Sequence, residues 1–384
     1  MPTTKAKNML YRVLLPFFAP RSGARPVTLL SGHKIMDPKT FVHLVKKHHI
    51  LGSSTLLESG NDNLLICTSS SSPFHEARPD SVYRVASITK TATAVLTMHL
   101  AEHHVLNLDK PVSDLFLSDA ARIVLEGITL RHLLSHTSGL TDPPDLETGL
   151  ENGRPFTDFV SVARRFPPGQ AFHYSNLGFG LIGCVMETVL NEPVGKIFEE
   201  HLFRPLEMNA TLEGNQIPRN LIMPVSRILP YHKGSDMILT RLGSVPLKNA
   251  DPLRHYGHTA GSMYTDIFSL RTLFHVLTGK KDKYLNESSL IQMKNRYASY
   301  GSLSPTLSYG LGLLCIKDSF LSEGYIFGHQ GFAYGCVDGA FWEEATGRIL
   351  ITLNGGCSEA RAGRLGLSNR DFLHWAFRKE LPLW

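Results

Sequence analysis

Ser87 and Lys90 stand three residues apart in Ser87-Ile-Thr-Lys90. On a helix that spacing puts a hydroxyl and an amine on one face, within reach of each other. A serine hydroxyl becomes a nucleophile when a base takes its proton, and a lysine serves as that base when its amine is uncharged. Burial favours the uncharged amine, because desolvation penalises the ammonium form. Residues 91–106, with Ala, Val, Leu and Met at close helical spacing, supply such surroundings. At the start of that helix the Ser87 N–H has no intrahelical partner and can help bind an oxyanion. The chemistry these residues suit is acyl transfer through a serine ester. The pattern alone is weak: Ser31-Gly-His-Lys34 repeats it in a loop-like segment with no apolar helix behind it, and reads as coincidence.

Two further segments carry candidate groups. Phe172-His-Tyr174-Ser-Asn176 follows the turn Pro167-Pro-Gly169-Gln and precedes an apolar helix. A loop held between a tight turn and a helix can project a phenol and an amide into a cleft. There Tyr174 could bond Ser87 and Lys90, relay a proton to a leaving group and later activate water. The same residues equally suit a core tyrosine with a satisfied hydroxyl and an Asn176 helix cap. Gly328-His-Gln-Gly331 lies at the end of an expected strand, where glycine allows close approach to the backbone. N–H groups along that edge could hold a substrate and complete an oxyanion hole at Phe332. His329 could donate to a substrate carbonyl or carboxylate, or be a surface histidine at a strand end.

Other hydrolytic designs are excluded by their missing signatures. No G-x-S-x-G elbow and no H-E-x-x-H pair occur. His48-His49 and His103-His104 lack zinc spacing and read as solvated helix residues. No metal or cofactor is expected.

The elements that must position these groups fall into three stretches. Residues 39–50 read as a helix, followed by two short strands, 53–57 and 64–68, joined by the turn-rich Ser59-Gly-Asn-Asp-Asn63. The middle is helical, with helices expected at 91–106, 130–134, 177–190, 194–203, 266–277 and 288–297. A Pro-, Gly- and charge-rich region over 214–258 reads as extended loop. Runs at 309–316, 325–327, 334–342 and 349–354 read as antiparallel strands, and a helix over 368–380 follows. The expectation is an α+β fold: an antiparallel sheet flanked by helices, plus an all-helical lobe. Residues 1–38 form an N-terminal arm and 39–384 the domain, with the helical lobe, about 88–300, inserted into the sheet lobe. A cleft between two lobes is a usual place for an active site.

Composition narrows the setting. With 19% charged and 42% hydrophobic residues, disorder and collagen-like repeats are excluded. A net charge of +5 without long basic runs argues against nucleic acid, and pairs such as Lys46-Lys47 and Lys280-Lys281 read as solvated surface. No stretch approaches the length of a membrane span. Cys67, Cys184, Cys315, Cys336 and Cys357 are odd in number and widely spaced, which fits a reducing compartment better than a disulfide framework. Lys5 and Lys7 precede an apolar stretch at 9–19, but Arg12 and Pro16 interrupt it and no cleavage-like site follows. A cytoplasmic protein acting on a small-molecule or peptide substrate is expected, with export the weaker alternative.

In this order the three motifs resemble the class C β-lactamase and penicillin-binding-protein-like serine hydrolase family. Tyr83-Arg-Val-Ala-Ser-Ile-Thr-Lys90 is similar to its nucleophile helix, and Leu133-Leu-Ser-His-Thr-Ser-Gly-Leu140 to its characteristic turn. Phe166-Pro-Pro-Gly169 through Tyr174-Ser-Asn176 resembles its Y-x-N segment. Ala260-Gly-Ser262 with Asp266, Tyr309-Gly-Leu-Gly312 and Gly328-His-Gln-Gly331 fit the remaining pattern, so the resemblance spans roughly residues 39–380. It implies acylation of Ser87 with Lys90 as base and Tyr174 as acid/base partner. Asn176 would contact substrate or lysine, and His329-Gln-Gly331 takes the place of the K-T-G strand. Histidine there lacks the fixed charge of lysine, so attraction for a β-lactam carboxylate should be weaker. The esterase or D-aminopeptidase-like branch is therefore expected over a strong β-lactamase. An acyltransferase would use the same acyl-enzyme, and a non-catalytic binding or assembly protein could share the fold.

Overall fold

The computed structural model describes residues 27–31 and 38–378, apart from 71–75, 117–118, 229–230, 234–246, 282 and 334, with scattered positions between 6 and 17. Most of the expected arm and of the stretch 9–19, residues 32–34 of the second Ser-x-x-Lys match, and part of the 214–258 region lie outside the described residues.

Nine strands among the described residues form one antiparallel sheet. In chain order they are β1 Val27–Ser31, β2 Ser53–Ser59, β3 Asp62–Thr68, β4 Ala298–Ser299, β5 Leu307–Tyr309, β6 Leu314–Ile316, β7 Ile326–Ala333, β8 Cys336–Glu343 and β9 Ile349–Asn354. Their order across the sheet is β1-β3-β2-β9-β8-β7-β6-β5-β4. Strands from the two ends of the chain meet where β2 pairs with β9, Thr55 opposite Thr352. β8 and β9 are buried at every position, which alternation produces only when both faces are covered. Gly339 faces Asn369 of helix α6, Leu367–Phe377, whereas Trp342, three residues on, packs edge-on against Phe274 of α5, Ile267–Leu277. Helix α1, Pro38–Lys47, sits beside α6, its Phe41 ring 5.5 Å from Phe372 and 5.6 Å from Trp375. Burying one such ring contributes about 2 kcal/mol.

Between β3 and β4 lie the helices that carry the candidate groups: α2 Thr89–Glu102, α3 Leu130–Leu134 and α4 Asn176–Leu190. The expected α+β architecture is borne out. No single helix among the described residues is long and apolar enough to cross a membrane; α4 and the following Val194–Phe203 are bent by 89° and largely buried.

Several local expectations need correction. The run 309–316 is two strands, because Gly310-Leu-Gly312 turns between them with Gly312 at φ +68. A Cβ on Gly312 would lie 2.2 Å from that of Ala94, and Thr91 Oγ1 donates to the Gly312 carbonyl at 3.0 Å. This turn presses the sheet against α2. Helix α2 stops at Glu102, with His104 left-handed at φ +59, although Leu106 stays buried and prolongs the apolar pattern. His48 is buried rather than solvated, its Nε2 2.7 Å from Asp371 Oδ2, and Lys47 binds the same carboxylate. Lys280 binds the buried Glu58 at 2.6 Å together with Arg271 and His275, tying α5 to β2. All five cysteines are buried free thiols.

Candidate active site

The nucleophile turn is built from backbone constraints on both sides of Ser87. Strand residues Tyr83–Arg84 pair with Tyr264–Thr265, and the Val85 N–H donates to Met263 O at 3.0 Å. Ala86 then adopts φ +45, a left-handed conformation costing a non-glycine residue about 1–2 kcal/mol. Thr89 holds it there: its hydroxyl donates to Ala86 O at 2.6 Å and accepts the Met263 N–H at 3.1 Å. From the other side β7 closes in. A Cβ on Gly331 would lie 2.4 Å from Val85 O, so Gly331 is required for the chain's own close approach. Ser87 is left partly exposed on a short 3-10 turn, Ala86–Ile88, that runs directly into α2.

One turn on, Lys90 has no exposed surface. Its Nζ lies 3.1 Å from Ser87 Oγ, 2.8 Å from Asn176 Oδ1 and 2.6 Å from the Ala260 carbonyl. Burial pulls its pKa down to about 7; the Asp142 carboxylate opposes that fall and the Arg84 guanidinium adds to it. An uncharged amine has two N–H donors and one lone pair. Ala260 O only accepts. Asn176 also presents its oxygen, because its Nδ2 is engaged with Asp142 Oδ2 at 2.8 Å. In that uncharged form both donors are taken, and the third direction of the nitrogen faces Ser87 Oγ.

Tyr174 is delivered by a loop that His136 grips twice. His136, itself left-handed at φ +56, accepts the His173 N–H on its carbonyl at 2.8 Å and the Ser175 N–H on Nδ1 at 3.1 Å. Its ring centroid lies 4.2 Å from that of Tyr174. Ser175, not Asn176, caps α4, accepting from the Gly178 N–H at 2.9 Å, so Asn176 is the first helical residue. The Tyr174 ring centroid is 5.0 Å from Lys90 Nζ. Burial pushes the phenol pKa up, with a hydrogen bond from Ser87 partly opposing it, so the phenol keeps its proton at neutral pH.

His329 on β7 differs from expectation. Its Nδ1–H donates to Gln330 O at 2.7 Å and its Nε2 accepts the Tyr309 hydroxyl at 2.8 Å. Burial, with the neighbouring Lys90, holds its pKa down to about 3, leaving the ring uncharged. It lines the cavity, but with both nitrogens engaged it has no proton to offer a substrate. Gly331 lies between Gln330 and Phe332 of the larger cavity, and the room left by its missing side chain is taken by Val85 O.

Two cavities meet at Ser87, Asn176 and Phe332. The larger, about 470 Å³, is walled by Tyr174, Tyr300 and His329, with Arg361 and Arg364 at one side. The smaller, about 150 Å³, is bounded by Leu146, Leu150, Tyr256 and Gly261. Ser87, Lys90, Tyr174, Asn176, His329 and Phe332 are thus brought together. Asp142, His136 and the two arginines join the site without being among the groups expected from the sequence. His136 was inside a recognised turn and Asp142 two residues past it. The arginines lie on a hairpin of two short strands, Arg361–Ala362 and Leu365–Gly366, which no strand-length pattern marks. Arg361 stacks 3.7 Å from the Phe332 ring centroid.

Residues 39–342 match a family model described as Beta-lactamase. The chain is 30% identical over 174 residues to D-alanyl-D-alanine-carboxypeptidase/endopeptidase AmpH of Escherichia coli (strain K12), covering 42% of this chain and 44% of that protein. It is 27% identical over 334 residues to Esterase EstB of Burkholderia gladioli, covering 77% of this chain and 83% of that one. The chain spans less than half the length of the first curated relatives it matches. Among solved structures it is similar to a D-stereospecific amidohydrolase from Streptomyces sp., with a TM-score of 0.64 and 25% identity over 85% of this chain and 94% of that one.

Proposed function

The chain belongs to the beta-lactamase family, and from that premise we propose that it is a serine hydrolase acting through an acyl-enzyme on Ser87. The observation that carries this reading is the hydrogen-bond inventory of Lys90: two N–H groups held by Asn176 Oδ1 and Ala260 O, a lone pair left for the nucleophile 3.1 Å away. Lys90 takes the Ser87 proton as Oγ attacks the substrate carbonyl carbon. The resulting oxyanion is held by the N–H groups of Ser87 and Phe332. As the carbonyl re-forms, the bond to the leaving group breaks. Tyr174 gives its proton to the departing oxygen or nitrogen and is resupplied from the Lys90 ammonium. Water then attacks the ester, its proton passing through Tyr174 to Lys90, and Ser87 leaves with a proton returned from the ammonium.

The position of Tyr174 assigns the two cavities. The proton donor to the leaving group lines only the larger one, so the leaving group occupies that side and the acyl group the smaller one, where Leu146, Leu150 and Tyr256 stand beside Arg84, Glu147 and Glu151. A volume of about 150 Å³ suits a short acyl chain. Uncharged His329 provides no fixed cation, but Arg361 and Arg364 place positive charge on the leaving-group side. Esters or amides of small acyl groups are therefore the substrate class, in keeping with relatives named as an esterase and a D-stereospecific amidohydrolase. Intact-protein mass spectrometry after exposure to esters, D-peptides and β-lactams tests this. An adduct present on the native chain and missing from Ser87→Ala is expected; no adduct with any of the panel overturns it.

A further inference from the structure

We propose that Asp142 is a positioning residue for acylation: it fixes which end of the Asn176 amide faces Lys90, and so where the Lys90 lone pair points. This rests on the reading of Lys90 as the base. Asp142 lies just beyond the Leu133–Leu140 turn and meets the first residues of α4 with both oxygens. Oδ1 accepts the Ser175 hydroxyl at 3.0 Å and the Leu177 N–H at 3.0 Å, while Oδ2 accepts Asn176 Nδ2 at 2.8 Å. An ionised carboxylate accepts and never donates, so the Asn176 end beside it must be the NH₂. The amide oxygen is then committed to Lys90. Rotated the other way, the amide would offer N–H to Lys90, and the lone pair would turn from Ser87 to meet it.

Asp142 is also the negative charge in the surroundings of Lys90. From the strand beneath, Arg84 contributes positive charge; His136 from the turn and His329 from β7 are held uncharged by burial, and Tyr174 keeps its proton. Glu147 and Glu151 line the adjoining cavity, but it is the Asp142 carboxylate that supports the ammonium; neutralising it makes the ammonium less favourable and moves base function to lower pH.

The test is the pH dependence of kcat/KM with p-nitrophenyl acetate for the native chain, Asp142→Asn and Ser175→Ala. Asp142→Asn should show a plateau lower by about tenfold, because the amide can rotate, and an acid limb displaced downward by about one pH unit. Ser175→Ala loses the α4 cap and one Asp142 contact but keeps the charge, so its acid limb should stay in place. If Asp142→Asn does not fold, Asp142→Ser, which retains a small acceptor, reads the same limb. A folded Asp142 variant with an unmoved limb, or an equal displacement in Ser175→Ala, overturns the role of Asp142 and leaves Lys90 as base. A native chain with no acid limb overturns both.

Discussion

Lys90 Nζ lies 3.1 Å from Ser87 Oγ while its remaining contacts, at 2.8 Å and 2.6 Å, both end on oxygens that cannot donate. A basic residue with no exposed surface and no carboxylate in direct contact is costly to keep charged. Burial answers that cost by lowering the pKa to about 7, so the amine sheds its proton far more readily than a solvated lysine. Base strength and burial are the same fact seen from two sides.

That cost has a stability signature. The folded pKa of Lys90, about 7, lies below the unfolded value, so the unfolded chain binds more protons between the two and stability rises with pH across that window. The penalty is fully present below the folded pKa and vanishes above the unfolded one. Lys90→Met removes it. The difference in unfolding free energy between Lys90→Met and the native chain should shift toward the native chain by on the order of 4 kcal/mol as pH rises from neutral to strongly alkaline. Chemical denaturation across that range checks this; a difference independent of pH would mean the amine is not held uncharged.

Tyr174→Phe should separate substrates by leaving group. With its proton held at neutral pH, Tyr174 matters where the departing atom needs one. Alkyl esters and amides should lose about 10²-fold or more in kcat/KM, and p-nitrophenyl esters, whose leaving group departs as an anion, far less. Equal losses on both would assign Tyr174 a merely structural part.

The smaller cavity, where the proposed mechanism seats the acyl group, is bounded by Leu150, which packs against Gly257. Leu150→Ala should widen it, shifting preference along a series of p-nitrophenyl esters toward longer acyl chains, by up to about fourfold for each added methylene accommodated. Unchanged chain-length preference would place the acyl group elsewhere.

Much of this was legible from residues alone, for identifiable reasons. Burial of the helix after Ser87 follows from its Ala, Val, Leu and Met content, and the hairpin Ser53–Ser59 with Asp62–Thr68 from the Gly60-Asn61 turn. The order of the motifs pointed to the family. What the chain could not announce were contacts made across long separations. Asp142 orients Asn176 from 34 residues away, and Tyr309 engages His329 from 20 away, which converts a prospective donor into a satisfied ring. A glycine does not say which neighbour needs the room, and at Gly331 that neighbour is Val85 O. The run 309–316 is broken into two strands on the same ground: Gly312 serves the approach to Ala94, a partner more than two hundred residues earlier.

The pH dependence of Ser87 acylation, followed in single turnovers with an activated ester, tests the central claim most directly. An uncharged lysine base requires the rate to rise with pH through the region of about 7 and then level off. A rate flat across the acid and neutral range, or one still climbing toward the ordinary lysine value of about 10.4, would contradict it.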